Sequence, residues 1–262
     1  PAGRKGTFDL SAQVFRQPRL ALIGNYRDIH CSSLRSCLSQ FSSFSHRLKH
    51  LNTQFTNQFT KSVFPLDHLA VGKEADAIAL VTRSGSLTYE MLNHRVGALA
   101  RWLIDQGVDK GDRVASWLPK TELACIMPLA AVRAGLVYVP INPVLKPAQV
   151  RHIIGDSGAK LLITNAGRIK SVEDMPLGED CVIWNDAAVS TKIEEVESPL
   201  PQSAISPDND PLAAILYTSG STGLPKGVML SNANLSLGAI SVAQYLNLEA
   251  DDRVLCVLPL SF

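Results

Sequence analysis

An α/β fold, built on a mainly parallel sheet with flanking helices, is predicted by three observations. Strand-like and helix-like segments alternate from residue 77 onward, the order expected of βαβ units. The helix-like segments carry apolar stripes suited to packing one face on a sheet, as Leu92, Val96, Leu99 and Leu103 do. Finally, 262 residues with 46% hydrophobic content supply a substantial core, in one large or two small domains.

Residues 77–82 read as a strand, Arg83-Ser84-Gly85-Ser86 as a hairpin turn and 87–89 as the return strand. A helix comes next: Thr88 is placed to cap it, Glu90 suits the positive end of its dipole, and Gly107 supplies the stop. After a strand at 113–118, Thr121 opens a second helix, apolar nearly all round and so largely buried, with a bend expected at Pro128 and an end at Gly135. A strand at 136–139, a helix begun by proline at 147–155, and strands at 159–164 and 180–184 continue the pattern. Residues 190–211 lose periodicity, collect Glu194, Glu195, Glu197 and four prolines, and read as a surface connection. Residues 213–217 return to the sheet, 228–230 are extended, Ser231 caps a helix to about Tyr245, and 253–258 is the last strand-like run.

Charge and composition narrow the function classes. A net charge of +1 argues against nucleic acid, whose binders concentrate a basic excess. Five cysteines (Cys31, Cys37, Cys125, Cys181 and Cys256) are widely spaced without a C-x-x-C pair, which reads as reduced thiols in a cytoplasmic protein. The six histidines show no metal-binding helical spacing, so no metal site is expected. The most apolar run, 123–139, is broken by Pro128, Arg133 and Gly135 and is too short to span a membrane. Residues 1–63 stand apart: 31–45 is serine-rich and no acidic residue lies between Asp28 and Asp67. They are expected to form a poorly ordered or non-native leader, or a transit peptide, with short helical pieces near 44–51, and the readable fold covers 64–262.

The stretch with the clearest chemistry is 215–227, I-L-Y-T-S-G-S-T-G-L-P-K-G, an apolar strand running into a hydroxyl- and glycine-rich loop. Gly220, Gly223 and Gly227 let the backbone turn tightly and bring N–H groups to an anion, and Thr218, Ser219, Ser221 and Thr222 add hydroxyl donors. Lys226 supplies a mobile positive charge. The Walker A spacing fails, because Pro225 and Gly227 stand where its second glycine and its magnesium-binding hydroxyl belong. A solvated Ser/Thr/Gly linker is the bland alternative.

The whole run Y-T-S-G-S-T-G-L-P-K-G-V resembles the phosphate-binding motif of the AMP-forming ligases, a superfamily of acyl-CoA synthetases, peptide-synthetase adenylation domains and luciferases. Residues 87–92, L-T-Y-E-M-L, resemble its first core motif, and 133–142, R-A-G-L-V-Y-V-P-I-N, its second. The runs 142–150 and 258–262 most resemble acyl-CoA ligases described as exosortase A system-associated. The likeness covers about 64–262 and implies the first half of the large N-terminal domain of such a ligase.

The resemblance implies adenylation of a carboxylic acid by ATP with magnesium, release of pyrophosphate, and acyl transfer to the thiol of coenzyme A or a carrier. ATP phosphates would be held by Thr218, Ser219, Gly220, Ser221, Thr222, Gly223 and Lys226, and Ser261 and Phe262 would border the substrate pocket. Two departures stand out. Asn232 occupies a position where many acyl-CoA synthetases carry histidine, and Ser261-Phe262 replaces the common F-H pair, in a manner that also resembles amino-acid adenylation domains. Adenine- and ribose-binding motifs and a catalytic lysine are expected downstream of Phe262, so this chain by itself is expected to be inactive. A non-catalytic phosphate-binding half-domain is the remaining alternative.

Overall fold

Adjacent strand residues face opposite sides of one sheet, and each side is covered. In the computed structural model, β3 (Arg113–Trp117) lies parallel to β4 (Val137–Pro140) and β5 (Ala159–Thr164), with Val114 opposite Tyr138 and Leu161, and Ala115 opposite Val139 and Leu162. Val114, Tyr138 and Leu161 enter one apolar cluster; Ala115, Val139 and Leu162 enter the other. This two-sided burial explains why the strand sequences are apolar throughout rather than alternating.

The structure describes residues 65–68, 72–172, 177, 180–203, 210–218, 224–249 and 251–261, all within one compact unit, Phe59–Phe262. Their sheet has six strands in the order β6-β5-β3-β4-β7-β8, with β6 (Val182–Asn185) and β7 (Leu212–Thr218) also parallel to their inner neighbours. The last strand, β8 (Lys226–Ser231), runs antiparallel to β7. A separate antiparallel hairpin joins β1 (Ile78–Thr82) to β2 (Gly85–Thr88), so the turn is shorter than the sequence pattern predicts.

Helices α1 (Tyr89–Asp105) and α2 (Glu122–Arg133) cover the first face. Thr88 and Thr121 cap them, accepting from Met91 N and Ala124 N, each at 3.2 Å. The stripe Leu92, Val96, Leu99 and Leu103 is buried as expected, and α2 continues through Pro128. Gly107 and Gly135 both take positive φ just past their helices, 78° and 74°, the conformation that ends a helix most cheaply. The second face is covered by α3 (Pro147–Ser157), through Val150, Ile153 and Ile154, and by α4 (Ala166–Val172), through Val172.

Three sequence expectations are corrected. Residues 190–211 are not a connection throughout, because α5 (Asp186–Glu194) occupies their start. Asn185 caps it, accepting from Ala187 N at 2.9 Å, and Val189 and Ile193, one turn apart, are buried against the first face. Helix α4 has no counterpart in the sequence pattern. Residues 253–258, strand-like in sequence, join no sheet among the described residues.

The chain beyond α5 is tied down rather than loose. Leu200 N donates to Gly97 O at 3.0 Å, and a Cβ on Gly97 would stand 2.6 Å from Leu200 O. A glycine in the middle of α1 therefore allows another backbone to cross it. The leader and its helical pieces lie outside the described residues.

Candidate phosphate-binding hairpin

The carboxyl ends of β3, β4, β5, β6 and β7 share one edge of the sheet, the edge where open α/β sheets bind ligands. Thr218 ends β7 at this edge, and Lys226 begins β8 directly across from it. Both are exposed, and Lys226 forms no ion pair among the described residues. The hairpin therefore sets a hydroxyl-bearing and an ammonium-bearing residue opposite one another at the adjoining ends of β7 and β8. Ser219, Gly220, Ser221, Thr222 and Gly223 lie outside the described residues.

Gly227 does not turn the chain. It sits inside β8 opposite Tyr217, and a Cβ there would come within 2.7 Å of Ile215 Cγ2 and 3.1 Å of Tyr217 Cζ. Its lack of a side chain lets these two β7 side chains lie across β8.

Two contacts fix the hairpin to α3. Tyr217 donates its hydroxyl to Asp156 Oδ2 at 2.6 Å, and a ring nitrogen of His152 lies 3.0 Å from Pro225 O. Because a carbonyl only accepts, His152 is the donor in this pair. Burial, then the neighbouring Asp156 carboxylate, push the Tyr217 phenol well above its ordinary range, which keeps the proton it donates. Sequence reasoning missed both α3 residues. Their spacing of four places them on one helical face, but nothing in that spacing distinguishes them from a solvated polar stripe.

The same edge holds a second arrangement that the sequence did not announce. Arg168 stacks over the Trp117 ring, 4.8 Å from its centre, and donates to Trp117 O at 2.8 Å and Pro143 O at 2.9 Å. Lys120, just beyond β3, donates to Cys256 O and Val257 O, both at 2.8 Å. These cations brace backbone.

Asn232 begins helix α6 (Asn232–Tyr245), is buried, accepts from Leu66 N at 3.0 Å and donates its own N–H to Pro211 O. An amide at this position thus ties the helix to the start of the fold. Ser231 caps α6, accepting from Asn234 N at 3.2 Å. Ser261 is buried, with its hydroxyl unpartnered among the described residues, and Phe262 lies outside them. A cavity of about 380 Å³ lies elsewhere, between Ser84, Arg95, Glu122 and Asp186, and takes no wall from the hairpin. Among the described residues no three His, Cys, Asp or Glu side chains gather to hold a metal, and no helix is long and apolar enough to cross a membrane.

The AMP-binding enzyme family matches residues 67–262. The chain belongs to that family. Among AMP-binding relatives, the L-proline--[L-prolyl-carrier protein] ligase of Pseudomonas fluorescens is 38% identical over 161 residues, covering 60% of this chain and 32% of that protein. Among solved structures, ATP-bound MatB from Rhodopseudomonas palustris superposes with a TM-score of 0.66 at 28% identity, over 76% of this chain and 41% of that one. VinN in complex with 3-methylaspartate superposes with a TM-score of 0.65 at 27% identity, over 75% of this chain and 54% of that one. The chain thus spans from a third to about half of these AMP-binding proteins. The fold is the mainly parallel sheet with flanking helices of their N-terminal domains.

Proposed function

We propose that this chain supplies the phosphate-holding part of a ligase that activates a carboxylic acid with ATP and passes the acyl group to coenzyme A. A carboxylate oxygen attacks the α-phosphorus, an acyl–oxygen–phosphorus bond forms, and the α–β phosphoanhydride bond breaks to release pyrophosphate. The thiol sulfur then attacks the acyl carbon, AMP departs, and the thiol proton passes to solvent.

The observation that carries this reading is the pairing of Thr218 with Lys226 at the carboxyl edge, with Lys226 exposed and unpaired among the described residues. Attack of an anion on a polyphosphate crowds negative charge, so a positioned ammonium and hydroxyl lower the barrier by stabilising that charge. Magnesium, where bound, would add charge neutralisation on the phosphates. Magnesium usually keeps several waters and binds through substrate phosphates.

The choice of coenzyme A is supported by the resemblance of runs 142–150 and 258–262 to exosortase A system-associated acyl-CoA ligases. A second reading, adenylation of an amino acid for a carrier-protein thiol, is favoured by the prolyl-carrier ligase relative and by Ser261-Phe262.

The first test is binding of ATP and of pyrophosphate, each with magnesium, to the chain and to Lys226→Ala. Loss of one hydrogen bond to a charged group corresponds to roughly a ten- to over hundred-fold weaker affinity. Equal affinity in both proteins would remove the phosphate role. The acceptor is decided by offering the protein ATP, a panel of fatty, aromatic and amino acids, and either coenzyme A or a carrier protein.

A further inference from the structure

We propose that His152 and Asp156 are positioning residues, a two-point clamp on α3 that sets the relative placement of Thr218 and Lys226. This rests on the phosphate-binding reading of the hairpin. The two residues lie four apart on one helix and therefore project from one face about one turn from each other. Asp156 accepts a hydrogen bond from the hydroxyl of Tyr217, the residue immediately before Thr218. His152 donates to the carbonyl of Pro225, the residue immediately before Lys226. Both flanks of the loop are thus referred to the same rigid element.

The remainder of that element is anchored. Val150, Ile153 and Ile154 are essentially fully buried in the second cluster, and Gly158 ends α3 with φ of 60°. A cluster so packed transmits position rather than yielding to it. The Tyr217 contact, 2.6 Å to a carboxyl oxygen, is short for a hydrogen bond between two oxygens. Gly227 suits the arrangement: a Cβ there would press on Ile215 Cγ2 at 2.7 Å and crowd the Tyr217 ring at 3.1 Å.

Proline at 225 adds a further constraint. Its fixed φ leaves the flank few conformations, and it has no N–H, so its carbonyl is the only backbone hydrogen-bonding group it can offer a clamp. His152 uses that group. The charged donor next in line, Lys226, is exposed and forms no ion pair among the described residues.

The test uses the whole chain, with pyrophosphate and magnesium as the probe, and amide hydrogen exchange at Lys226, Gly227 and Thr218 read without any ligand. Tyr217→Phe removes one hydroxyl and keeps the ring; Asp156→Asn retains an acceptor oxygen; Asp156→Ala and His152→Ala remove a clamp point each. The expected result is exchange about tenfold faster at these amides in Tyr217→Phe and Asp156→Ala, with pyrophosphate bound about tenfold more weakly, as for loss of one hydrogen bond worth about one power of ten. Asp156→Asn should recover most of both. Unchanged exchange at these amides in Tyr217→Phe overturns the clamp, even if Asp156→Ala fails to fold. Failure of the phosphate reading looks different: Lys226→Ala would leave pyrophosphate affinity untouched while the exchange effects of Tyr217→Phe persisted. Faster exchange with unchanged pyrophosphate affinity, in a chain where Lys226→Ala does weaken binding, also overturns the proposal, because the clamp would then stabilise the hairpin without placing its charge.

Discussion

Asp67 and Arg133 form an ion pair sealed from solvent, Oδ2 to Nε at 3.0 Å, with side chains 0% and 2% exposed. Arg133 also donates to Asp67 O, Asn93 O and Asn93 Oδ1, while Asp67 Oδ2 accepts a second bond from Ser203 N. Burial pulls the guanidinium pKa down and Asp67 pulls it back up, while Asp67 Oδ1 is buried without a hydrogen-bond partner among the described residues. Arg133 opens the R-A-G-L-V-Y-V-P run, which makes this motif position structural: it joins α2 to α1 and to the turn Leu66–His68.

Removing one partner is expected to cost more than removing both. Asp67→Ala strands a buried guanidinium and should lower stability by about 3–5 kcal/mol. The double change Asp67→Leu with Arg133→Met should recover much of that loss. Urea midpoints of the single and double variants decide it, and equal losses would show that the pair is not coupled.

Two helical glycines should respond to alanine in opposite senses. Gly97 is crossed by the backbone of Leu200, so Gly97→Ala forces a shift, with a cost of roughly 1–3 kcal/mol. Gly238, within α6, has open space where a Cβ would go, and Gly238→Ala should stabilise by about 0.4–1 kcal/mol. Thermal melting of the two variants reads both signs.

Cutting into the first-face cluster should weaken the whole sheet. Leu99 is fully buried between α1 and the strands, and Leu99→Ala should cost about 2–5 kcal/mol, depending on how far the site collapses. A denaturant midpoint unchanged from the parent would contradict the placement of α1.

The sequence made most of this legible where one physical signal dominated. Leu92, Val96, Leu99 and Leu103 announced α1 because helical periodicity and burial coincide there, and Thr88, Thr121 and Ser231 announced helix starts because their hydroxyls do meet the expected N–H groups. Helix α5 was hidden because its buried face is only Val189 and Ile193, too few to show a period, in a stretch whose prolines and glutamates suggested a loop. The extended run at 228–230 becomes an antiparallel strand because the connection from Thr218 to Lys226 is too short for the crossover that a parallel strand needs. At the hairpin, Lys226 could be singled out by its motif. His152 and Asp156 could not, since their partners lie 73 and 61 residues away and long-range pairing leaves no local mark.

Alkaline pH should find the buried hydroxyl pair of Tyr138 and Ser116, whose oxygens lie 2.7 Å apart inside the sheet. Burial is the main cause that pushes the Tyr138 phenol up, to about 12 from an ordinary value of 10.0. The folded protein then keeps this proton where the unfolded chain has lost it, so the folded state binds more protons between the two values. Stability must therefore fall as pH rises through this window, and the contribution is fully present below pH 10.0. A two-unit difference corresponds to on the order of 3 kcal/mol by the top of the window. Cys181, raised by burial to about 11, and the Tyr217 phenol, raised by burial and by Asp156, tilt the curve in the same direction. Tyr138→Phe isolates the phenol: its urea midpoint should fall less steeply with pH than that of the parent, although its stability at neutral pH is lower by about 1 kcal/mol for the lost hydrogen bond. Parallel curves for the two proteins above pH 10.0 would mean that the phenol titrates as if exposed, contrary to its place in the sheet.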